Sequence, residues 1–330
     1  MIQKEYAPAK LNLFLGVEPR IVDGKHPLTS VFTTIDLCDV LYFDFGDEGE
    51  SAQDAVLAPE AVSFELASTP EAESLDLALS DNLVMKAVQE FFASFEATNG
   101  ETATTAVNAT TAPAAPKIPA SHLHITLEKH IPSQAGLGGG SSDAATTLRV
   151  LARSAGLDPT SPEIIRIAQT LGADVPFFLY GGCVLMRGFG DEFVERLPVP
   201  PLDIVLVKPS TGSSTKEIYN AFDEQKPEVF DATPFVEVLR DTCGLCLPRQ
   251  VAKEMRNNLE SVCHKLLTET ANIKNTLDEY EGVLNSMLTG SGSVVFAVCS
   301  DALAAAQIAQ DLAEHGYWTC ATTTVRPDAN

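Results

Sequence analysis

The glycine-rich stretch at residues 132–145 (Pro-Ser-Gln-Ala-Gly-Leu-Gly-Gly-Gly-Ser-Ser-Asp-Ala-Ala) constrains the fold of this chain more than any other. An alternating segment at residues 122–128 predicts a strand before it, and an amphipathic pattern predicts a helix after it. Its glycines are Gly136, Gly138, Gly139 and Gly140. Glycines permit sharp turns and close approach of a ligand, and a helix start offers free N–H groups with partial positive charge. The stretch therefore predicts an anion-binding loop, above all for phosphate.

The stretch differs from two familiar phosphate-binding motifs. A Walker loop ends in Gly-Lys followed by Ser or Thr, whereas Gly140 is followed directly by Ser141 and Ser142. The dinucleotide motif G-x-G-x-x-G needs a third glycine where Ser141 stands. Taken alone, the loop also fits a flexible connection with a serine cap at a helix start. Other segments of the chain are therefore needed to distinguish this alternative from an anion-binding loop.

Composition favours a soluble globular protein of about two domains. The chain has 330 residues, 45% of them hydrophobic, which is enough for a substantial core. Its formal net charge of −23 argues against binding to nucleic acid or to an anionic membrane. No segment resembles a signal peptide or a membrane span, and seven scattered cysteines are typical of reduced thiols. We therefore expect a cytoplasmic protein.

Two groups of residues have some features of metal sites. Cys243 and Cys246 have the spacing of a zinc-binding or redox pair, but no second pair completes the site. His122 and His124 share a strand face without a third ligand. We expect no dedicated metal site made by the protein alone.

The order of apolar patterns predicts an α+β fold with mixed sheets rather than a strict βαβ series. The predicted strands are at 8–15, 31–36, 41–45, 122–128, 183–187, 202–207, 294–298 and 317–325. One helix is predicted from 83 to about 97, a second directly after the glycine-rich stretch, and a third from the capping box at 160–163 to Gly172. Further helices are predicted from 215 to 222, as two or three segments within 232–283, and from 301 to 316. Residues 187–200 are predicted to be a connection.

The same pattern predicts two domains. The first covers residues 1–186, with the last strand, 317–330, returning to it, and the second covers 187–316. Residues 98–120 are rich in Ala, Thr and Pro and predict a mobile insertion.

Two polar positions are candidates for a site. In the strand at 8–15, leucines occupy one face while Lys10 and Asn12 lie together on the other. This arrangement fits the wall of a site, or a solvated edge strand in which a lysine prevents aggregation. Asp174 follows a helix that ends at Gly172, and from spacing alone it is an N-cap for the next helical turn.

Seven segments, in the same order, resemble the GHMP kinase superfamily. They are 8–15, Asp23-Gly-Lys-His-Pro27, Asp81-Asn-Leu83, 132–145, Gly172-Ala-Asp-Val-Pro-Phe177, Asn257-Asn-Leu259 and Gly290-Ser-Gly292. The pattern is most similar to the members that act on a cytidine diphosphate derivative of a small branched alcohol. The resemblance implies the two-domain GHMP kinase fold, ATP and Mg²⁺ as cofactors, and phosphoryl transfer to an alcohol.

The resemblance also implies the residues of the ATP site. They are Pro132, Ser133, Gln134, Ala135, Gly136, Leu137, Gly138, Gly139, Gly140, Ser141, Ser142, Asn82 and Lys129. Residues 132–142 would surround the phosphates, with Ser141 or Ser142 near Mg²⁺. Because phosphate oxygens hold most of the metal, no carboxylate cage is expected. Asp143, inside the same stretch, is expected to cap or orient the helix.

By the same resemblance, Asp174 is the catalytic base and Lys10 its partner. Phosphoryl transfer needs in-line positioning and neutralised charge, and a carboxylate can take the proton of the attacking hydroxyl. A nearby ammonium keeps such a carboxylate ionised.

The implied substrate site contains Asn12, Lys25, His26, Thr215 and Tyr219. His26 would read the polar edge of a cytosine ring, and Tyr219 would stack on the ring. Lys25 occupies a position where a second aromatic residue is usual, so the contact there is expected to differ.

Two alternatives remain open at this point. One is a GHMP kinase for another alcohol, such as homoserine or a mevalonate derivative. The other is a non-catalytic nucleotide-binding regulator, although Lys10 and Asp174 are both present. In each case we expect a small-molecule partner, no nucleic acid or membrane, and a monomer or homodimer.

Overall fold

The structure is a computed structural model that describes residues 2–21, 24–46, 56–73, 82–100, 117–241 and 248–326. Residues 101–116 of the predicted insertion lie outside the described residues, and so do Cys243 and Cys246. The described parts of the chain form strands and helices in an α+β arrangement with two sheets, which confirms the predicted fold class.

The described residues contain eleven strands. They are β1 (Ile2–Val17), β2 (Leu28–Asp44), β3 (Val62–Leu66), β4 (Leu123–Glu128), β5 (Cys183–Arg187), β6 (Glu192–Leu197), β7 (Asp203–Lys208), β8 (Arg256–Asn257), β9 (Val283–Leu288), β10 (Val295–Cys299) and β11 (Trp318–Thr323).

The same residues contain eleven α-helices and a 3₁₀ turn at Pro59–Ala61. The helices are α1 (Pro70–Glu73), α2 (Leu83–Gly100), α3 (Gly139–Ser154), α4 (Pro162–Leu171), α5 (Val175–Tyr180), α6 (Thr215–Gln225), α7 (Thr233–Arg240), α8 (Pro248–Glu254), α9 (Glu260–Leu266), α10 (Thr268–Glu279) and α11 (Ala302–Glu314).

Three predictions about these elements were wrong. The strands predicted at 31–36 and 41–45 are one strand, β2, whose two halves pair antiparallel with different partners, β5 and β4. The predicted connection at 187–200 contains β6, which forms a hairpin with β5. Its turn includes Gly188 and Gly190, both at positive φ. The described residues between 232 and 283 form four helices and the short strand β8, instead of two or three helices.

The chain forms two compact units. The first contains Met1–Ala7, Asp39–His130 and Gly140–Leu179, and the second contains Pro8–Cys38, Ile131–Gly139 and Tyr180–Asn330. Each unit is therefore assembled from several stretches of sequence. The predicted domains, 1–186 and 187–316 with a returning last strand, are divided differently and stay a prediction.

The first unit combines a small sheet with helices. β3 runs parallel to β4, and β4 pairs antiparallel with Val40–Asp44 of β2. α2 packs against α4. One face of α2 is buried, through Val84, Ala87, Val88, Phe91 and Phe95. This helical spacing forms an apolar stripe along one side of the helix.

The second unit contains an antiparallel sheet with the order β11-β7-β10-β9. Alternate residues of its central strands enter two separate apolar clusters, with Leu206 and Phe296 in one and Val205 and Val295 in the other. Because side chains of a strand alternate between faces, both faces of this sheet are buried. That burial explains why β7 has an almost continuous apolar sequence rather than an alternating one.

Further strands of the second unit carry predicted site residues and their neighbours. Residues 30–33 of β2 pair with β5, and Phe14 and Leu15 of β1 pair in parallel with β8. At the end of the chain, β11 pairs with β7, while Thr324 forms a bridge with Ile35.

Candidate functional site

The glycine-rich stretch leads directly into α3, as predicted. The first turn of α3 contains no acidic residue, so no carboxylate of that turn competes with an anion for its N–H groups. Ser141 is half-buried. The Ser142 hydroxyl is fully buried and has no hydrogen-bond partner. A buried hydroxyl without a partner at the start of a helix is chemically suited to contact a bound anion, or the hydrated cation that accompanies the anion.

Within the second unit, the glycine-rich loop packs against a second loop of small residues, Thr289-Gly-Ser-Gly-Ser293. Gly136 has φ +76°, and a Cβ there would lie 2.5 Å from the Thr289 carbonyl oxygen. Val294 N donates a hydrogen bond to Ala135 O at 3.2 Å. The close approach of the two backbones explains the requirement for glycine at position 136.

Lys10 and Asn12 lie side by side in β1, as the alternation predicted. Lys10 Nζ donates to Asn12 Oδ1 at 2.7 Å, and Asn12 Nδ2 donates to Ser30 Oγ at 2.8 Å. Lys10 is 3% exposed and Asn12 is 2% exposed, so the alternative of a solvated edge strand is wrong. Because a buried ammonium needs partners, this burial favours the other alternative, the wall of a polar site, which stays a prediction.

Backbone groups around Lys10 connect the two loops to β1. Lys10 N donates to Leu137 O at 2.9 Å, and Asn12 N donates to Thr289 Oγ1 at 3.3 Å. A Cβ built on Gly290 would lie 3.4 Å from Lys10 Nζ. We call Lys10, Asn12, Ser30, Thr289 and Gly290 the Lys10 cluster.

Asn257 supports this cluster from β8. Its Nδ2 donates to the carbonyl oxygens of Leu288 and Gly290, each at 2.8 Å. Ser30, Thr289 and Asn257 had no predicted role. Asn257 begins the motif at 257–259, and Thr289 directly precedes the motif at 290–292, so these motifs could have indicated both residues.

Lys129 lies in a buried charge cluster of the first unit. Its Nζ forms ion pairs with the carboxylates of Asp39 and Asp143, at 2.8 Å to Asp143. His130 N also donates to Asp39 at 2.6 Å. Asp143 is directed towards Lys129, and through this contact it connects the N-terminal part of α3 to the residue after β4. The role of Lys129 in binding nucleotide stays a prediction.

Burial and the neighbouring charges have opposite effects on the pKa of Lys129. Burial alone lowers the pKa of Lys129, but Asp143 and Asp39 together raise it above its ordinary value. Burial raises the pKa of Asp143 to about 8, opposed by Lys129 and assisted by Asp39. The Lys129 ammonium is therefore the group that favours the ionised form of Asp143 against the effect of burial.

Two of the predicted substrate residues, His26 and Tyr219, are brought together in the second unit. Their rings are 5.1 Å apart, and Phe222 approaches His26 edge-on at 5.6 Å. His26 Nδ1 lies 2.9 Å from Glu18 O, and Nε2 lies 3.3 Å from Asp223 Oδ1. Neither Phe222 nor Asp223 was among the predicted substrate residues.

Lys25 and Thr215 also have defined neighbours in this unit. Lys25 Nζ lies 4.8 Å from the centre of the Phe189 ring, a cation–π contact. Thr215 Oγ1 lies 3.0 Å from Ser291 Oγ, in the small-residue loop. The aromatic partner at Lys25 thus comes from the β5–β6 turn, which was predicted to be a connection.

Asn82 and Asp174 both precede helices of the first unit. Asn82 Oδ1 accepts a hydrogen bond from Val84 N at 2.9 Å and so caps α2. Asp174 is half-buried, immediately before α5. Lys10 belongs to the second unit, so its partnership with Asp174 stays a prediction.

The described residues contain no group of three or more His, Cys, Asp or Glu side chains suited to a metal ion. Among the helices of the described ranges, none has both the length and the apolarity needed to cross a membrane.

Comparison with known proteins agrees with this geometry. The description "GHMP kinases N terminal domain" matches residues 82–182, and "GHMP kinases C terminal" matches residues 246–317. The chain belongs to the GHMP kinase family.

Individual members of the GHMP kinase family resemble the chain over most of its length. A 4-diphosphocytidyl-2-C-methyl-D-erythritol kinase of Polaromonas naphthalenivorans is 36% identical over 89% of this chain and 85% of its own. A crystal structure of 4-(cytidine 5'-diphospho)-2C-methyl-D-erythritol kinase has 25% identity and a TM-score of 0.69, covering 98% of this chain and 100% of its own. A homoserine kinase from Cytophaga hutchinsonii has a TM-score of 0.64 at 17% identity, covering 98% and 94%, which shows the shared fold.

The buried ion pairs predict a large effect of Lys129→Met on stability. Removing the ammonium leaves two acids buried without a cation, which should lower the free energy of unfolding by about 3–5 kcal/mol. Urea unfolding measures this change. The exposed Lys117→Met is the matched control and should change it by less than about 0.5 kcal/mol. Asp143→Asn added to Lys129→Met should recover part of the loss, and full stability of Lys129→Met alone would contradict the prediction.

Proposed function

We propose that this GHMP kinase transfers the γ-phosphoryl group of ATP to the 2-hydroxyl of 4-diphosphocytidyl-2-C-methyl-D-erythritol. The products would be the 2-phosphate and ADP, in the non-mevalonate route to isoprenoid precursors. The observation that carries this proposal is the 36% identity, over 89% of the chain, to a relative named for that substrate. The geometry of the separate groups described above supports it.

The phosphate-binding role rests on the start of α3 and on the glycine-rich loop. Free N–H groups and partial positive charge at a helix start suit phosphate oxygens. Ser142 has a buried hydroxyl that lacks a partner, and Ser141 is the more accessible of the two. Mg²⁺, when bound, would neutralise phosphate charge and be held mainly by phosphate oxygens, with Ser141 or Ser142 as its protein contact.

The catalytic roles follow the family resemblance. Asp174 would accept the proton of the attacking hydroxyl, and Lys10 would stabilise negative charge during transfer. Lys10 is well suited to this role because Asn12 and the Gly290 backbone hold its ammonium in a buried, polar environment. A fixed cation stabilises developing charge more effectively than a mobile one.

Recognition of the cytidine group would use His26 and Tyr219. Tyr219 and Phe222 fix the imidazole ring from two sides, so its orientation is set before a ligand binds. We also propose that Phe189 supplies the aromatic surface that position 25 lacks, since Lys25 already lies against its ring. Asn12 and Thr215 would complete this side of the site.

The decisive experiment is a comparison of substrates. Purified protein with ATP and Mg²⁺ should release ADP with 4-diphosphocytidyl-2-C-methyl-D-erythritol, but not with homoserine or mevalonate. Coupled detection of ADP measures the rate. Selective turnover of homoserine or mevalonate would identify that alcohol as the substrate instead. ATP binding without any turnover would favour a non-catalytic regulator.

Asp174→Asn should lower kcat by roughly 10²–10⁴-fold, the usual contribution of a general base. ATP affinity should stay close to that of the wild type, because the substitution removes a charge without removing volume. Kinetics and equilibrium ATP binding measure the two effects. Asp241→Asn, at an exposed carboxylate, is the control, and a near-normal rate for Asp174→Asn would exclude this residue as the base.

Phe189→Leu should raise KM for the cytidyl substrate roughly three- to tenfold, which is the scale of one aromatic contact. KM for ATP should not change, since the proposed contact concerns only the cytosine. Phe193→Leu changes another aromatic residue of the same hairpin and should leave both constants unaltered. Unchanged KM values in Phe189→Leu would remove Phe189 from the substrate site.

A further inference from the structure

A cavity of the second unit lies outside every group of residues discussed so far. Its volume is about 700 Å³. The residues that define its chemistry come from α8, β8, β9 and the turns that flank β9 and β10, and they are Arg249, Lys253, Arg256, Glu281, Asn285 and Ser300. The cavity shares no residue with the Lys10 cluster or with the group around His26.

Three cations in one cavity are unusual for this chain. The protein has 22 Lys and Arg residues against 45 Asp and Glu, and its net charge of −23 repels anions at long range. Arg249 and Lys253 are four residues apart in α8 and so share one side of the helix. Glu281 is the single acidic residue that lines the cavity, so the lining carries a formal excess of two positive charges.

Two of the three cations, Arg249 and Lys253, are available for a ligand. Among the described residues, neither Arg249 nor Lys253 forms an ion pair. Both side chains are exposed. Like charges that are held close together without counter-ions repel each other, and a bound anion removes that repulsion.

Arg256 is held in place for binding. Its Nη1 donates to the carbonyl oxygens of Lys253 and Met255, each at 2.7 Å. Glu254 approaches Nη2 only at 3.9 Å. These backbone bonds orient the guanidinium group and leave N–H groups on its other nitrogens to meet a ligand. Restriction of this side chain before binding lowers the entropic cost of recognition.

We propose that this cavity, which we call the Arg256 cavity, binds a small anion that carries phosphate or diphosphate groups. Two guanidinium groups match the geometry of phosphate oxygens, and a lysine adds a point charge. The excess of two positive charges favours a ligand with at least two negative charges over a monocarboxylate. A volume of about 700 Å³ accommodates a small organic phosphate.

The backbone separates this cavity from the Lys10 cluster. Arg256 and Asn257 are consecutive in β8, so their side chains point to opposite faces. Arg256 is exposed at the cavity, whereas Asn257 is buried and holds Leu288 and Gly290. The Arg256 cavity is therefore a second site, and it does not depend on the proposed kinase activity.

Calorimetric titration with inorganic pyrophosphate, in the absence of Mg²⁺, tests the proposal. The test variant is Arg249→Gln with Lys253→Gln, which keeps the backbone-bonded Arg256. The matched control is Arg153→Gln with Arg166→Gln, which removes two exposed charges outside the cavity. Any binding at the proposed nucleotide site is common to all three proteins, so the difference between them reports the cavity alone.

We expect wild type and control to bind pyrophosphate alike and more tightly than inorganic phosphate. The test variant should bind pyrophosphate roughly tenfold more weakly, and added salt should reduce the difference. Equal loss in both double variants would show a general effect of net charge and overturn the proposal, as would unchanged binding in the test variant. Kinase turnover, measured separately, should be the same in all three proteins, so failure of the proposed function would leave this test valid.

Discussion

The buried ammonium of Lys10 is the constraint on which the second unit depends. A charge this deeply buried is costly unless polar groups surround it. Asn12 supplies the direct hydrogen bond, and Ser30 fixes the Asn12 amide from a neighbouring strand. Asn257 then holds the Gly290 backbone against the same group. Each partner comes from a different part of the sequence, so the cluster exists only when the strands and both loops have folded together.

The glycine-rich loop packs against the same Lys10 cluster. It approaches Thr289 so closely that a side chain at position 136 would collide with the backbone. Lys10 N bonds to Leu137 O, which joins the loop to β1. The glycines therefore have a packing role within the protein, in addition to the phosphate-binding role that we propose for the loop.

Cations are scarce in this acidic chain, and their positions are correspondingly informative. Lys10 donates a hydrogen bond to Asn12 within a buried polar cluster. Lys129 is instead compensated by Asp39 and Asp143, which gives it a structural task at the start of α3. Arg249, Lys253 and Arg256 line a cavity with a single acid. The same type of charge thus has three different environments, and only the fold distinguishes them.

Local sequence patterns were sufficient to predict the order of most elements, the helix that follows the glycine-rich stretch, and the placement of Lys10 and Asn12 on one strand face. These features are local, because apolar periodicity, glycine and a two-residue alternation act over a few residues. Three other features became visible in the folded protein alone: β2 is one strand with two partners, Lys129 and Asp143 form a buried ion pair, and Phe189 lies against Lys25. These contacts join residues far apart in the chain, and the physical reason is that burial and charge compensation depend on which segments become neighbours after folding.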